Sequence, residues 1–130
     1  MKDKVLIDSS VWIDFFRNRG SRFRDKIELL LQSGRAVYTG IIAMELINGA
    51  KGEKELQVLE NLFASMERIN EKEATHLNAG KLGHKMARKG HTLGVVDLIV
   101  AQLVIENNSI LLTLDEHFKI IANYSELRLL

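Results

Sequence analysis

The chain contains no cysteine and no proline. Without thiols there is no disulfide framework, no thiolate zinc site and no cysteine nucleophile, so chemistry is left to carboxylates, imidazoles and hydroxyls. Without proline, element boundaries must be read from glycines, from Ser, Asn and Asp caps, and from changes of hydrophobic period. Aromatics make up only 6% of the 130 residues, which assigns Trp12, Phe15 and Phe16 to core or dimer contacts rather than to a base-stacking platform. Long apolar runs are lacking too. The best, residues 93–105, is interrupted by Asp97 and Gln102 and falls short of the roughly 18 residues that span a bilayer, so no membrane association is expected. Met1-Lys2-Asp3-Lys4 leads into only three apolar residues, not the stretch of a secretory signal, and a cytoplasmic location is the expectation.

What is present is an ordinary globular composition, 46% hydrophobic and 27% charged, on a length that suits one domain over residues 1–130. Val5-Leu6-Ile7 is a continuous apolar run ended by Asp8-Ser9-Ser10, which predicts a buried parallel strand followed by a helix over residues 11–16. Phe23, Ile27, Leu30 and Leu31 at helical spacing predict a second helix, closed by Ser33-Gly34. A strand over 36–39, a helix over 41–50 and an amphipathic helix over 53–64 follow, then a strand over 66–69. Asn70 with Glu73 three residues on resembles a capping box and predicts a helix from 70 to about 89. An apolar helix over 95–106, a strand over 109–113 and a possible fifth strand over 127–130 complete the chain. Strands alternating with helices define an α/β fold, a three-layer domain with a mainly parallel central sheet of four to five strands and helices on both faces. Ligands of such folds bind at the carboxyl edge of the sheet.

Four carboxylates interrupt apolar stretches near that edge. Asp8 ends the first strand, Glu45 lies within Ile41-Ile42-Ala43-Met44-Glu45-Leu46-Ile47, Asp97 within Val95-Val96-Asp97-Leu98-Ile99-Val100, and Asp115 two residues after the last strand. Each has a local explanation: Asp8 as a helix cap, Glu45 on a polar stripe, Asp97 as a helix-dipole partner, Asp115 as a turn initiator. With Asp8 and Asp115 after strands and Glu45 and Asp97 placed in the first turns of helices, all four are expected at one edge. Carboxylates so gathered repel one another unless a cation sits among them, and a hard divalent ion such as Mg2+ or Mn2+ suits oxygen ligands.

The net charge of +1 hides an asymmetry. Removing these four from the 17 acids leaves 13 against 18 bases, a surplus of five. Residues 17–35 carry Arg17, Arg19, Arg22, Arg24, Lys26 and Arg35 against Asp25 and Glu28, and residues 77–91 carry Lys81, Lys85, Arg88 and Lys89 with no acid. Lys81, Lys85 and Arg88 fall on one helical face. An acidic centre flanked by basic surface suits a polyanion, with Arg17, Arg19, Arg22, Arg24, Lys81, Lys85 and Arg88 as candidate RNA contacts. Set against this, Lys and Arg stripes are commonly solvated helix faces.

The opening aspartate-hydroxyl-hydroxyl motif Asp8-Ser9-Ser10, then Met44-Glu45-Leu46, Val96-Asp97-Leu98, and the closing Thr113-Leu114-Asp115-Glu116-His117-Phe118 together resemble the PIN-domain family, and the chain length looks most like its VapC-type ribonuclease toxins from toxin–antitoxin pairs. Ser9 stands where Thr is frequent and Val96 where Pro often precedes the third acid; neither removes a functional group. The resemblance implies an endoribonuclease that hydrolyses phosphodiesters with a water activated by one or two Mg2+ or Mn2+ ions. Asp8, Glu45, Asp97 and Asp115 would form its acidic, metal-binding quartet, with Asp8 and Asp97 as principal ligands and Ser10 and Thr113 as supporting hydroxyls. It also implies an RNA substrate, a cognate antitoxin and a homodimer, with the antitoxin met by an apolar groove guessed at Trp12, Phe15, Phe16, Ile47 and Leu62.

Three other readings compete. A metal-free mechanism needs two imidazoles side by side, but His76 and His84 stand eight residues apart on one helix. A phosphoacceptor receiver domain wants an aspartate at the end of its third strand, where this chain has Asn70. A catalytically inactive PIN-like module that binds RNA or protein would normally lack at least one of the four acids.

Overall fold

A computed structural model describes residues 2–130. Its elements in order are β1 (Val5–Ile7), α1 (Ser9–Arg17), α2 (Arg24–Gln32), β2 (Ala36–Tyr38), α3 (Gly40–Asn48), α4 (Glu53–Ala64), β3 (Glu67–Arg68), α5 (Thr75–Arg88), α6 (Val95–Glu106), β4 (Ile110–Leu112) and α7 (His117–Asn123). The strands form one parallel sheet in the order β3-β2-β1-β4. Val5, Leu6 and Ile7 are all fully buried although successive side chains of a strand face opposite ways, so both faces of β1 are covered. That is why an uninterrupted apolar triplet, rather than an alternating pattern, encodes the central strand.

The strand order fixes where a ligand can sit. From β1 the chain moves to β2 on one side and later returns to place β4 on the other, so β1 and β4 flank the topological switch point, whose crevice opens at the strand carboxyl ends. Asp8 follows β1 there, its N–H extending the ladder to Leu112 O at 2.9 Å. Residues 113–115 leave β4 beside it. The helices α5 and α6 pack antiparallel: Thr75 at the start of α5 hydrogen-bonds the Glu106 side chain at the end of α6, and Gly83 lies against Leu98. This packing carries the first turn of α6, with Asp97, to the same edge.

Several boundaries differ from the sequence expectation. The capping box at Asn70 does not form; α5 starts at Thr75, whose Oγ1 accepts from Lys72 N at 2.7 Å, so the tertiary contact to Glu106 fixes the start instead. The third strand shrinks to Glu67 and Arg68, both exposed, a short charged edge that offers little to a foreign strand. The fifth strand is reduced to a single parallel bridge, Leu111 to Leu129. Helix α7 follows the last acid, where no element was expected. No helix among the described residues is long and apolar enough to cross a membrane.

Candidate active site

Asp8 occupies the N-cap position of α1, yet its side chain makes no capping bond. Its Oδ2 instead accepts from Ser10 Oγ at 2.9 Å and from Thr113 Oγ1 at 2.8 Å. Each hydroxyl is used twice: Ser10 Oγ also accepts from Leu114 N at 3.1 Å, and Thr113 Oγ1 from Asp115 N at 3.0 Å. A serine and a threonine separated by most of the chain thus tie the ends of β1 and β4 together through one carboxylate. Asp8 is 7% exposed, and among the described residues Oδ1 takes no hydrogen bond, so it is the oxygen left for another partner.

Asp115 sits on the loop so fixed. Its Oδ1 accepts from the backbone N–H of His117 at 2.9 Å, so the turn-initiating role read from sequence is real and coexists with membership of the cluster. The ring of His117 then reaches back, with Nδ1 at 3.4 Å from both Asp115 Oδ1 and Asp97 Oδ2. Asp97 is in the first turn of α6, as expected, but Glu45 is the sixth residue of α3 and lies in its second turn, not its first. The first turn of α3 is held instead by Thr39, whose Oγ1 accepts from Ile42 N. One turn further along, Glu45 still feels the other acids.

The charges confirm the proximity. Burial is the largest cause raising Glu45 above the usual carboxylate range, followed by the charges of Asp8 and Asp97, with a hydrogen bond from the Ser9 hydroxyl pulling the other way. Asp97 is raised by burial and then by the charge of Asp115, while His117 pulls it down and Asp8 adds a further small push. All four carboxylates are therefore within electrostatic reach, and among the described residues His117 is the one base paired with any of them. His117 is the member that sequence reasoning missed: its spacing from Asp115 was visible, but only α7 turns it back onto Asp97.

The raised values fix how stability depends on pH. A carboxyl whose folded pKa lies above its unfolded value stabilises the fold fully below the unfolded pKa and loses that contribution as pH rises through the folded one. The metal-free protein therefore carries a penalty at neutral pH that Glu45→Gln removes. Because Glu45 is only partly withdrawn from solvent and stays exposed by area, the gain is small, an increase in Tm on the order of 1–2 °C at pH 7.5 after allowing for solvent screening, and none at pH 4. Thermal melts in EDTA at the two pH values check this; a variant no more stable than wild type at pH 7.5 contradicts it.

The basic candidates divide. Arg17 is paired with Glu55 at 3.1 Å, Arg24 donates to Phe15 O and lies over the Phe15 ring, and Lys85 donates to Tyr124 O at 2.6 Å. Arg22 lines a hollow of about 150 Å3 with Thr113, Asp115 and Lys119, beside the acids. Arg88 and Lys85 line another of about 430 Å3 with His84 and Lys89. Arg19 and Lys81 are exposed. Of the apolar residues expected to form a groove at the early helices, Trp12 is corrected: it is fully buried, stacked with Phe16 and edge-on to Phe15, and cannot line a surface, whereas Phe16 is exposed and Phe15, Ile47 and Leu62 are partly buried. A separate apolar hollow of about 310 Å3 lies between α3, α5 and α6, around Ile41, Ala79, Val95 and Ile99. The histidines are scattered: His76 lines that hollow, His84 the basic one, and His91 lies tilted against the Tyr124 ring. No two imidazoles among them form an acid–base pair, which removes the structural basis for the metal-free mechanism.

Carboxylates thus gather at the switch-point crevice of a parallel-sheet α/β domain, with one imidazole beside them and, among the described residues, no ammonium or guanidinium paired to them, a donor set suited to a hard cation. The donor set fits such an ion: one ligand atom each from Asp97, Asp115 and His117 lie within 4.8 Å of one another, and Asp8 Oδ1 is free. The sequence profile of the PIN domain matches residues 5–124, and the chain belongs to that family. A VapC ribonuclease of Mycobacterium bovis is 29% identical over 128 residues, covering 95% of this chain and 96% of its own. A tRNA(fMet)-specific endonuclease VapC of Salmonella typhimurium is 26% identical over 102 residues, covering 75% and 76%. Among solved structures, the DNA-bound VapBC of Salmonella typhimurium superposes with a TM-score of 0.80 at 21% identity over 99% of this chain and 98% of that one. VapBC-1 of Haemophilus influenzae superposes with a TM-score of 0.78 at 23% identity, over 97% and 96%.

Proposed function

We propose that this chain is a divalent-metal-dependent endoribonuclease, the toxin of a toxin–antitoxin pair, with Asp8, Glu45, Asp97 and Asp115 as its acidic centre. The observation that carries the reading is the convergence of four carboxylates from distant parts of the chain on one crevice, two of them raised in pKa by burial and by their neighbours. Such self-repulsion costs stability and is expected where a cation is to be held. The relatives named as VapC ribonuclease and endonuclease support the same activity.

Bound Mg2+ or Mn2+, one ion or two, would supply a water of lowered pKa and offset charge on the phosphate. The chain's own residues do the positioning. Ser10 and Thr113 lock Asp8 so that Oδ1 faces its free side, Asp97 and Asp115 offer oxygens across the crevice, and Glu45, with its raised pKa, is suited to take up a proton from the attacking water. The oxygen of water would bond to phosphorus as Glu45 takes its proton, the bond to the 3′-oxygen would break, and that oxygen would take up a proton from solvent, leaving a 5′-phosphate and a 3′-hydroxyl. Arg22, which lines a hollow with Asp115 and Lys119, is placed to meet a phosphate bound there, with Arg19, Lys81 and Arg88 as outer contacts. A cognate antitoxin, a second copy of the chain and a cytoplasmic location complete the proposal. The structural relatives are VapBC complexes.

The test is to induce the chain in a host that lacks its antitoxin and to sequence new RNA 5′ ends, with Asp97→Asn as control. Growth arrest with discrete cuts that the control lacks is the expected result. Identical end profiles for both proteins would instead favour an inactive RNA- or protein-binding module.

A further inference from the structure

Resting on the reading that the acidic centre takes a divalent ion, we propose that His117 is itself a ligand of that ion, so that the centre presents a nitrogen donor beside its carboxylates and selects Mn2+ over Mg2+. The four-carboxylate quartet read from sequence is an all-oxygen site; the geometry is not. Nδ1 of His117 stands at 3.4 Å from an oxygen of Asp97 and at 3.4 Å from one of Asp115, and the three ligand atoms cluster within 4.8 Å. No other imidazole among the described residues approaches the acids.

The placement of His117 is built, not incidental to an exposed surface. Asp8 holds Thr113, Thr113 Oγ1 holds the backbone of Asp115, and Asp115 Oδ1 holds the backbone N–H of His117 at 2.9 Å. This chain of hydrogen bonds sets the first residue of α7, from which the ring reaches Asp97 and Asp115 with its Nδ1 edge. The ring is otherwise 60% exposed, and it fills no core space that would explain its orientation. Phe118, the next residue, is 1% exposed and anchors α7, so the start of the helix is fixed from the core side as well.

The choice of ion follows from the donor. Mg2+ keeps oxygen ligands and water and gains little from imidazole, whereas Mn2+ and the later first-row ions accept nitrogen readily. One histidine among carboxylates therefore raises affinity for Mn2+ far more than for Mg2+.

The experiment reads binding rather than turnover. Pulsed electron paramagnetic resonance of the Mn2+-loaded wild-type chain is expected to show 14N coupling from a directly bound imidazole, absent in His117→Ala. Calorimetric titration is expected to show Mn2+ affinity falling on the order of 10- to 100-fold in His117→Ala, the scale of losing a partner in a metal site, with Mg2+ affinity changed far less. Because His117 is exposed, circular dichroism should show the variant folded. Bound Mn2+ without nitrogen coupling overturns the His117 assignment and leaves the nuclease reading standing, as does a variant that binds both ions more tightly, the mark of an imidazole that competes with the ion. A wild-type chain that binds neither ion removes the nuclease reading itself.

Discussion

Replacing Asp8 with Asn is expected to lower the kcat/KM for RNA cleavage by at least about 10³-fold while leaving the fold intact, a loss of roughly 4 kcal/mol of transition-state stabilisation. The size of the effect comes from the way Asp8 is held. Two hydroxyls donate to Oδ2, at 2.9 Å from Ser10 and 2.8 Å from Thr113. In the variant the amide oxygen must take that place to keep both bonds, which puts the NH2 group where Oδ1 stood. A donor with partial positive charge then faces the crevice in which a cation and a phosphate are to be held. The substitution is isosteric, it retains the two hydroxyl bonds, and it removes one charge from a crowded cluster, so Tm should stay level or rise slightly. Cleavage assays alongside thermal melts separate the two quantities. Cleavage at the wild-type rate by a folded Asp8→Asn protein would dismiss the carboxylate from the chemistry.

The same residues show what a linear reading of this chain can reach. The apolar triplet at 5–7 announces a buried strand and the four acids announce themselves as charges in or beside apolar runs, while Ser10 and Thr113 were legible only through the family resemblance. The fold class follows from alternation of elements alone. What stayed out of reach depends on contacts between distant segments. The start of α5 is set by Glu106, thirty-one residues away, and not by the local Asn70 signal. Glu45 joins the centre from the second turn of α3, which only the path of β2 into that helix decides. His117 stood in the closing motif without a role until α7 placed its Nδ1 between two carboxylates. Trp12 shows the converse: its type suits a core position and a docking groove alike, and its complete burial decides for the core.

Gly83, on the neighbouring helix α5, is expected to control the centre through packing. A Cβ built at Gly83 lies 2.6 Å from Leu98 Cδ1, with Cδ2 and Cγ at 3.6 and 3.7 Å, whereas at Gly80, one turn earlier on α5, nothing lies within 4 Å. Leu98 is 6% exposed and follows Asp97 directly, so its side chain cannot retreat into solvent and its backbone carries the acid. Alanine at Gly83 gains up to about 1 kcal/mol of helix propensity and spends a similar amount on displacing the Leu98 methyl, a near-neutral change. Valine overfills the contact. Gly83→Val is expected to cost about 1–3 kcal/mol, a fall in Tm of roughly 4–12 °C, and to push the first turn of α6 away from Asp8 and Asp115. A displacement on the order of 1 Å suffices for a 10²-fold loss of cleavage where reacting groups must be aligned. Gly80→Val supplies the matched comparison, since it makes the same change of propensity with open space around the new side chain. If the two valine variants melt together and cleave alike, the α5–α6 contact does not set the position of Asp97; if only Gly83→Val loses both stability and activity, the register of one helix against another is part of the active site.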